Sequence, residues 1–298
     1  MTMLIIGGSG FLGTELLRQA SSAGRLAAAT FNSRATRTDG VTWHHLDLRD
    51  ARQIDTLIDA VAPSVVINAS SGDADWSVTA DSSFRLATAT ARQGIRLVHV
   101  STDAVSSGAD VHYDETALPD PVTPYGAAKA AAETAVRLLH PASVVARTSL
   151  IIGDGGSTHE RVVHELVAGA REGALYTDDV RCPVHVTDLA AALWELAVSD
   201  AAGVFHLAGP DAVSRYALGG LCTSNHPAKR WSLVYTAGKS PLSRAWHSTV
   251  EISWGNRFRS AMALVVSGTS SRMYSPRSAR ANSGPVLFSK SHVLLRAR

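Results

Sequence analysis

Cysteine is nearly absent: the 298 residues hold two, Cys182 and Cys222. Two thiols so far apart build neither a disulfide framework nor a zinc site, and a reducing, cytoplasmic setting is the expectation. No apolar run approaches the roughly 18 residues of a membrane span. The opening MTMLIIGGSG carries no basic stretch and no cleavage site. It predicts a strand rather than a signal peptide, and no membrane association is expected. Acid is also scarce, but only locally. Residues 219–298 contain one acid, Glu251, against 12 Lys and Arg, whereas the first 218 residues hold 25 acids and 16 bases.

That final stretch differs from the rest in every respect. Its bases are scattered, unlike the concentrated charge of a nucleic-acid-binding arm, and no nucleic-acid partner is expected. Serine supplies 15 of its 80 residues, and Trp231, Trp246 and Trp254 do not suit a disordered tail. No helical or strand period is sustained from about Gly220 onward. We read residues 219–298 as an anomalous basic, Ser-rich tail produced by out-of-frame translation. A true basic arm and a lineage-specific domain are the alternatives.

Apolar residues, at 45%, are ample for a sizeable core. Up to residue 218, strand-like and helix-like segments alternate. TMLII, RLAAATF, VTWHHLDL, SVVINAS, IRLVHVST and SVVART read as strands. GFLGTELLRQASSAG, DARQIDTLIDAVA, DWSVTADSSFRLATATARQG and residues 123–139 read as helices, and 203–219 as a strand followed by a helix start. This order predicts an α/β fold, a Rossmann-like doubly wound parallel sheet with right-handed crossovers. Residues 1–147 are expected to form the dinucleotide-binding domain carrying the catalytic residues, and 148–218 a small substrate lobe.

Gly7, Gly10 and Gly13 stand three apart between the first strand and the first helix. Glycines there let the backbone approach a pyrophosphate, and a helix N-terminus offers free N–H groups. An NAD-preferring site carries an acid at the end of the second strand for the ribose 2′-OH. The sequence there is TFNSRATR, without an acid before Asp39. Ser33 and Arg34, with Arg37 nearby, could hold a 2′-phosphate, so NADPH is expected, with NADH as the alternative. Asn68 ends the fourth strand, where it could line the cofactor or simply form a turn.

Tyr125 precedes Lys129 by four residues, about one helical turn, so both project from one helix face. Reducing a ketone needs a hydride on carbon and a proton on the developing alkoxide. A tyrosine hydroxyl can give that proton, but its free pKa is about 10. An ammonium about 4 Å away, at an effective dielectric near 20, is worth about 4 kcal/mol. That is roughly three pKa units, enough to bring Tyr125 near 7, where acid–base work is efficient. Lys129 could also bond the nicotinamide ribose. Thr102, at the end of the fifth strand, is the expected donor to the substrate carbonyl, with Ser101 as second choice. The 12 histidines are scattered, and no metal site is read.

The segments GGSGFLG, VVINAS, STDAV, PYGAAK, ARTS and RCPVHVTDLAAAL resemble the extended short-chain dehydrogenase/reductase family, and within it the dTDP-4-dehydrorhamnose reductases, over about residues 1–218. The resemblance implies Thr102, Tyr125 and Lys129 as the working triad, NADPH as hydride donor and a 4-keto nucleotide sugar as substrate. It adds Phe11, Leu12 and Ala69 to the cofactor set and places Asp47 and Leu48 beside the adenine. A homodimer is compatible with it. Ala104 stands where these relatives carry an aromatic residue. Nucleotide-sugar dehydratases need a second carboxylate after Asp103, and Ala104 supplies none. An NAD-dependent epimerase and a non-catalytic NADP(H)-binding regulator remain as alternatives.

Overall fold

A computed structural model describes residues 2–35, 38–109, 113–223 and 263–265. The first half alternates as its sequence pattern demands: β1 (Met3–Ile6), α1 (Phe11–Ser22), β2 (Ala27–Phe31), β3 (Val41–His45), α2 (Ala51–Val61) and β4 (Val65–Asn68). A single π-helical turn, Ser77–Asp81, runs into α3 (Ser82–Arg92), then β5 (Arg96–Thr102), a 3-10 turn at Asp103–Val105, α4 (Pro124–Leu139) and β6 (Val144–Thr148). Asp50 caps α2 by accepting from the Arg52 N–H, as an acid at a helix start should.

Seven parallel strands form the central sheet in the order β3-β2-β1-β4-β5-β6-β10, where β10 is Gly203–Ala208. The reversal of strand order lies between β1 and β4, the place where open α/β sheets bind ligands. Alternation along each strand divides the core into two layers. Met3, Ile5, Val98 and Val100 pack on α1 and on α6 (Val186–Val198), while Leu4, Ile6, Val66 and Leu97 pack on α2, α3 and α4. Both faces are therefore covered, which is why these strands are almost entirely apolar.

The small lobe comprises β7 (Ile151–Ile152), α5 (Thr158–Val167), β8 (Val180–Arg181), β9 (Val184–His185), β11 (Val213–Ser214) and α7 (Arg215–Thr223). Within the range 148–218, β10 pairs with β6 in the main sheet and α6 packs on α1. A capping box starts α5: Ser157 accepts from the Glu160 N–H, and Glu160 accepts from the N–H groups of Gly153, Gly155 and Ser157 at 3.0–3.1 Å. One further strand, β12 (Ala263–Val265), lies antiparallel to β10. The remainder of the stretch read as out-of-frame, from residue 224 on, lies outside the described residues, as does Arg37.

Candidate active site

Two adjoining clefts open along the carboxyl edge of the sheet. The larger, about 1180 Å³, runs from Phe11 past Tyr125 to Arg215. The smaller, about 220 Å³, lies against Gly7, Gly10, Asn32, Asp47 and Leu48. Ala69, Ser70 and Ser71 belong to both walls.

The glycine turn is built from close backbone approach. A side chain at Gly13 would overlap the Gly7 carbonyl oxygen, and Gly7 itself has φ +81°. The Gly7 N–H donates to Thr30 Oγ1 at 2.9 Å, tying the turn to β2. No side chain caps the start of α1, and its first turn carries no acid. An uncapped helix start with its positive dipole end suits an anionic group. Together with the adjoining small cleft lined by Gly7, Gly10, Asp47 and Leu48, this arrangement could hold a dinucleotide.

The expected 2′-phosphate residues stand apart from this wall. Ser33 and Arg34 are exposed on the loop after β2 and line neither cleft. Asn32 and Arg49 line the small cleft instead. Asn32 occupies the position just after β2 where a ribose-binding acid would stand, a signal the sequence carried. Arg49 is held by ion pairs to Asp47 and Asp75. Asn68 is also placed differently from expectation. It is 1% exposed beneath the clefts, where its amide meets His99 Nδ1 at 3.2 Å and its oxygen accepts from the Ser70 hydroxyl at 2.6 Å. It braces the Ser70 turn rather than lining the cofactor cleft.

Helix α4 brings Tyr125 to Thr102. Thr123 caps it, accepting from the Gly126 N–H at 3.0 Å, and Pro124 opens its first turn. A side chain at Gly126 would overlap the Ala104 carbonyl oxygen. Glycine thus lets the helix start press against the corner after β5, where Tyr125 comes near the hydroxyls of Thr102 and Ser71 on the wall of the larger cleft. Ser71 was not anticipated; its position just after the β4 end was the available signal.

The structure corrects the expected tuning of Tyr125. Its pKa lies above the ordinary 10, because burial dominates. The neighbouring hydroxyls of Thr102 and Ser71 oppose that rise, and the charges of Asp103 and Asp73 add to it. Lys129 instead donates through Nζ to the Val100 carbonyl at 2.7 Å, and burial lowers its own pKa to about 8, with Glu133 pulling the other way. Tyr125 is therefore protonated at neutral pH, the state of a proton donor.

Ser101 is not free to polarise a substrate. Its hydroxyl donates to Glu133 Oε1 at 2.6 Å, within a buried network in which Arg147 grips the Glu133 carboxylate through Nε and Nη2 at 2.8–3.1 Å. Thr102 remains at the cleft wall, with its hydroxyl donating to Asp103 Oδ1 at 3.2 Å.

The far wall of the larger cleft is a chain of charge. Arg181 Nη1 lies 2.9 Å from Asp103 Oδ1, and its Nε donates to Asp179 Oδ1 at 2.8 Å. Arg215 Nε donates to Asp179 Oδ2 at 3.2 Å, and Arg215 Nη1 meets His159 Nδ1 at 3.1 Å. Burial and the two guanidinium groups push the His159 pKa down to about 4, leaving it neutral. Asp103 also accepts from the Ser149 hydroxyl at 2.7 Å. Among the described residues no group of three or more His, Cys, Asp or Glu side chains could hold a metal ion, and no helix is long and apolar enough to cross a membrane.

Comparison with known proteins adds ancestry to this geometry. The family model described as RmlD substrate binding domain matches residues 1–248, past the point where the motif resemblance stops. The chain is 34% identical over 222 residues to a dTDP-4-dehydrorhamnose reductase of Mycobacterium tuberculosis (strain H37Rv), covering 72% of each protein. A hypothetical dTDP-4-dehydrorhamnose reductase from Sulfolobus tokodaii is similar in structure, with TM-score 0.69 and 27% identity, covering 82% of this chain and 91% of that one. The dTDP-4-dehydrorhamnose reductase of Bacillus anthracis, solved in complex with NADP, shares the fold at TM-score 0.64 and 23% identity, covering 75% and 80%.

Proposed function

The chain belongs to the RmlD substrate binding domain family, and from that premise we propose that this NAD(P)-dependent oxidoreductase uses NADPH to reduce a 4-keto group on a nucleotide sugar. The observation that carries the reading is Tyr125, protonated and near Thr102, in a cleft that shares the Ala69–Ser71 wall with the smaller cleft at the glycine turn. Family relatives named as dTDP-4-dehydrorhamnose reductases support the substrate class. The NADP complex of the B. anthracis relative supports NADPH, as does the absence of an acid at the end of β2.

When bound, the cofactor supplies a hydride to the carbonyl carbon. Gly7, Gly10, Phe11, Leu12 and Gly13 would hold its pyrophosphate, while Asp47, Leu48 and Ala69 would flank its adenosine end. Lys129 uses one of its three donors on the Val100 carbonyl and has others for the nicotinamide ribose. Tyr125 would give its hydroxyl proton to the substrate's carbonyl oxygen as it becomes an alkoxide. Thr102 stands beside that oxygen and steadies it once its hydroxyl turns from Asp103. A single carboxylate at this corner, held by Arg181 and Ser149, offers no acid–base pair for dehydration. An epimerase would need Tyr125 as a base, and its raised pKa disfavours that role.

NADPH oxidation by the full chain, measured against a panel of 4-keto nucleotide sugars, tests the reading. Turnover is expected with the native chain and not with Tyr125→Phe, with kcat/KM higher for NADPH than for NADH. Cofactor binding without turnover on any member of the panel would overturn it in favour of a regulatory binder.

A further inference from the structure

We propose that Arg181 is a positioning residue: its guanidinium ties Asp103, and through it Thr102, to the substrate lobe, and cancels the Asp103 charge beside Tyr125. The kinetic consequence rests on the reductase reading above, but the electrostatic one does not.

Arg181 is an internal residue of the network, its side chain 15% exposed. It reaches Asp103 Oδ1 at 2.9 Å, and that same oxygen accepts the Thr102 hydroxyl. The other carboxylate oxygen accepts from Ser149, whose hydroxyl oxygen in turn accepts from the Cys182 N–H at 3.2 Å. Asp103 is thus clamped from the residue after β6 and from β8 at once. Asp179 fixes the back of Arg181 and is itself fixed by Arg215 at the start of α7. A shift of the lobe therefore moves Asp103, and with it the Thr102 hydroxyl that donates to the same carboxylate.

The charge argument follows from the groups around Tyr125. Thr102 and Asp103 face it from β5 and its corner, and Ser71 and Asp73 from the loop after β4. Lys129 lies one turn along α4, engaged with the Val100 carbonyl. Around Asp103 stand Arg181 and Ser149, with His159, Cys182 and His206 within electrostatic range. Both histidines are held below their usual pKa by burial and supply little charge at neutral pH. Arg181 is the cation in contact with Asp103. Without it, a carboxylate stands uncompensated beside the phenol and draws the Thr102 proton more strongly.

The test places a fluorotyrosine at position 125 of the full chain, whose lower intrinsic pKa keeps its titration within the folded range, and follows it by fluorine NMR. Arg181→Met is expected to move the titration up by about one unit, the scale of an exposed like charge. Asp103→Asn should move it down, and the double variant should return it close to the native value. Arg181→Lys, which keeps the charge but loses the fork, should shift it much less than Arg181→Met. A merely structural Arg181 would lower stability without producing shifts of opposite sign. An unmoved titration in Arg181→Met, or a shift of the same sign in Asp103→Asn, overturns the proposal. If Arg181→Met does not fold, Asp103→Asn decides: a titration unmoved or raised overturns it. With native tyrosine, kcat of Arg181→Met should fall about tenfold with little change in KM. If the native chain shows no turnover, the reductase reading fails while the titration still decides the role of Arg181.

Discussion

The glycine turn and the lobe wall line two adjoining clefts, and they are made from different materials. Gly7, Gly10 and Gly13 present backbone, and the negative group they suit is met by N–H groups and a helix dipole. The lobe wall presents side chains, with Asp103, Arg181, Asp179 and Arg215 alternating in charge and His159 at the end. A backbone site is fixed by the turn itself and tolerates no added atoms. A side-chain network is fixed only by its own bonds, so it can be altered one member at a time, with effects that travel to its neighbours.

Perturbations at the junction, the turn and the lobe should separate these two kinds of construction by size. The largest effect is expected beneath the junction, where Arg147 and Glu133 form an ion pair about 1% exposed on each side. Arg147→Met leaves Glu133 buried without its cation, and unfolding in urea should show a loss of about 3–5 kcal/mol. A loss below 1 kcal/mol would mean that water already reaches the pair. Next comes the turn. Gly13→Ala drives a methyl group into the Gly7 carbonyl, and NADPH binding by fluorescence should weaken by tenfold or more, about 1.4 kcal/mol. Unchanged binding would show that the turn is not the pyrophosphate site. The lobe should respond more mildly. Ser157→Ala removes one half of the capping box and should cost about 1 kcal/mol in thermal unfolding. NADPH affinity should stay constant while KM for the sugar nucleotide rises. Equal effects on both ligands would erase the distinction between the halves.

The same contrast explains what could be read in advance. Glycine spacing, the apolar strands and the Tyr125–Lys129 interval are local features, and the structure puts the turn, the sheet order and the α4 pair where that local order implies. The lobe network joins residues 103, 149, 159, 179, 181 and 215, and no spacing rule links them. Asn68 and Ser101 were legible as strand ends but not as buried groups, because the partners that bury them, His99 and Glu133, come from other elements. The Tyr125 pKa shows the same limit. Lys129 lies one turn from Tyr125, yet its ammonium turns to the Val100 carbonyl, and burial sets the direction of the Tyr125 shift. Local order also could not reveal that β10 joins the main sheet, since that depends on a register with β6 set across the 54 residues between Thr148 and Gly203.

Lys129 gives the finest distinction, because it meets a backbone carbonyl yet behaves as a titrating side chain. Burial lowers its folded pKa to about 8, against about 10.4 in an unfolded chain. Below pH 8 both states hold the proton, and the folded state carries the full cost of a buried ammonium. Between about pH 8 and 10 the unfolded chain binds more protons than the folded one, so stability rises with pH. Above the unfolded value both are neutral and the contribution is flat. Tyr125 acts in the opposite sense above pH 10, since its raised pKa makes the folded state hold a proton the unfolded chain has lost. Lys129→Met removes the first effect and keeps the second. Its stability relative to the native protein should therefore be greatest below pH 8 and decline steadily towards pH 10 in urea unfolding series. A difference independent of pH would mean that Lys129 is solvated in the folded protein. Its ammonium would then reach the cleft through water rather than through the Val100 carbonyl.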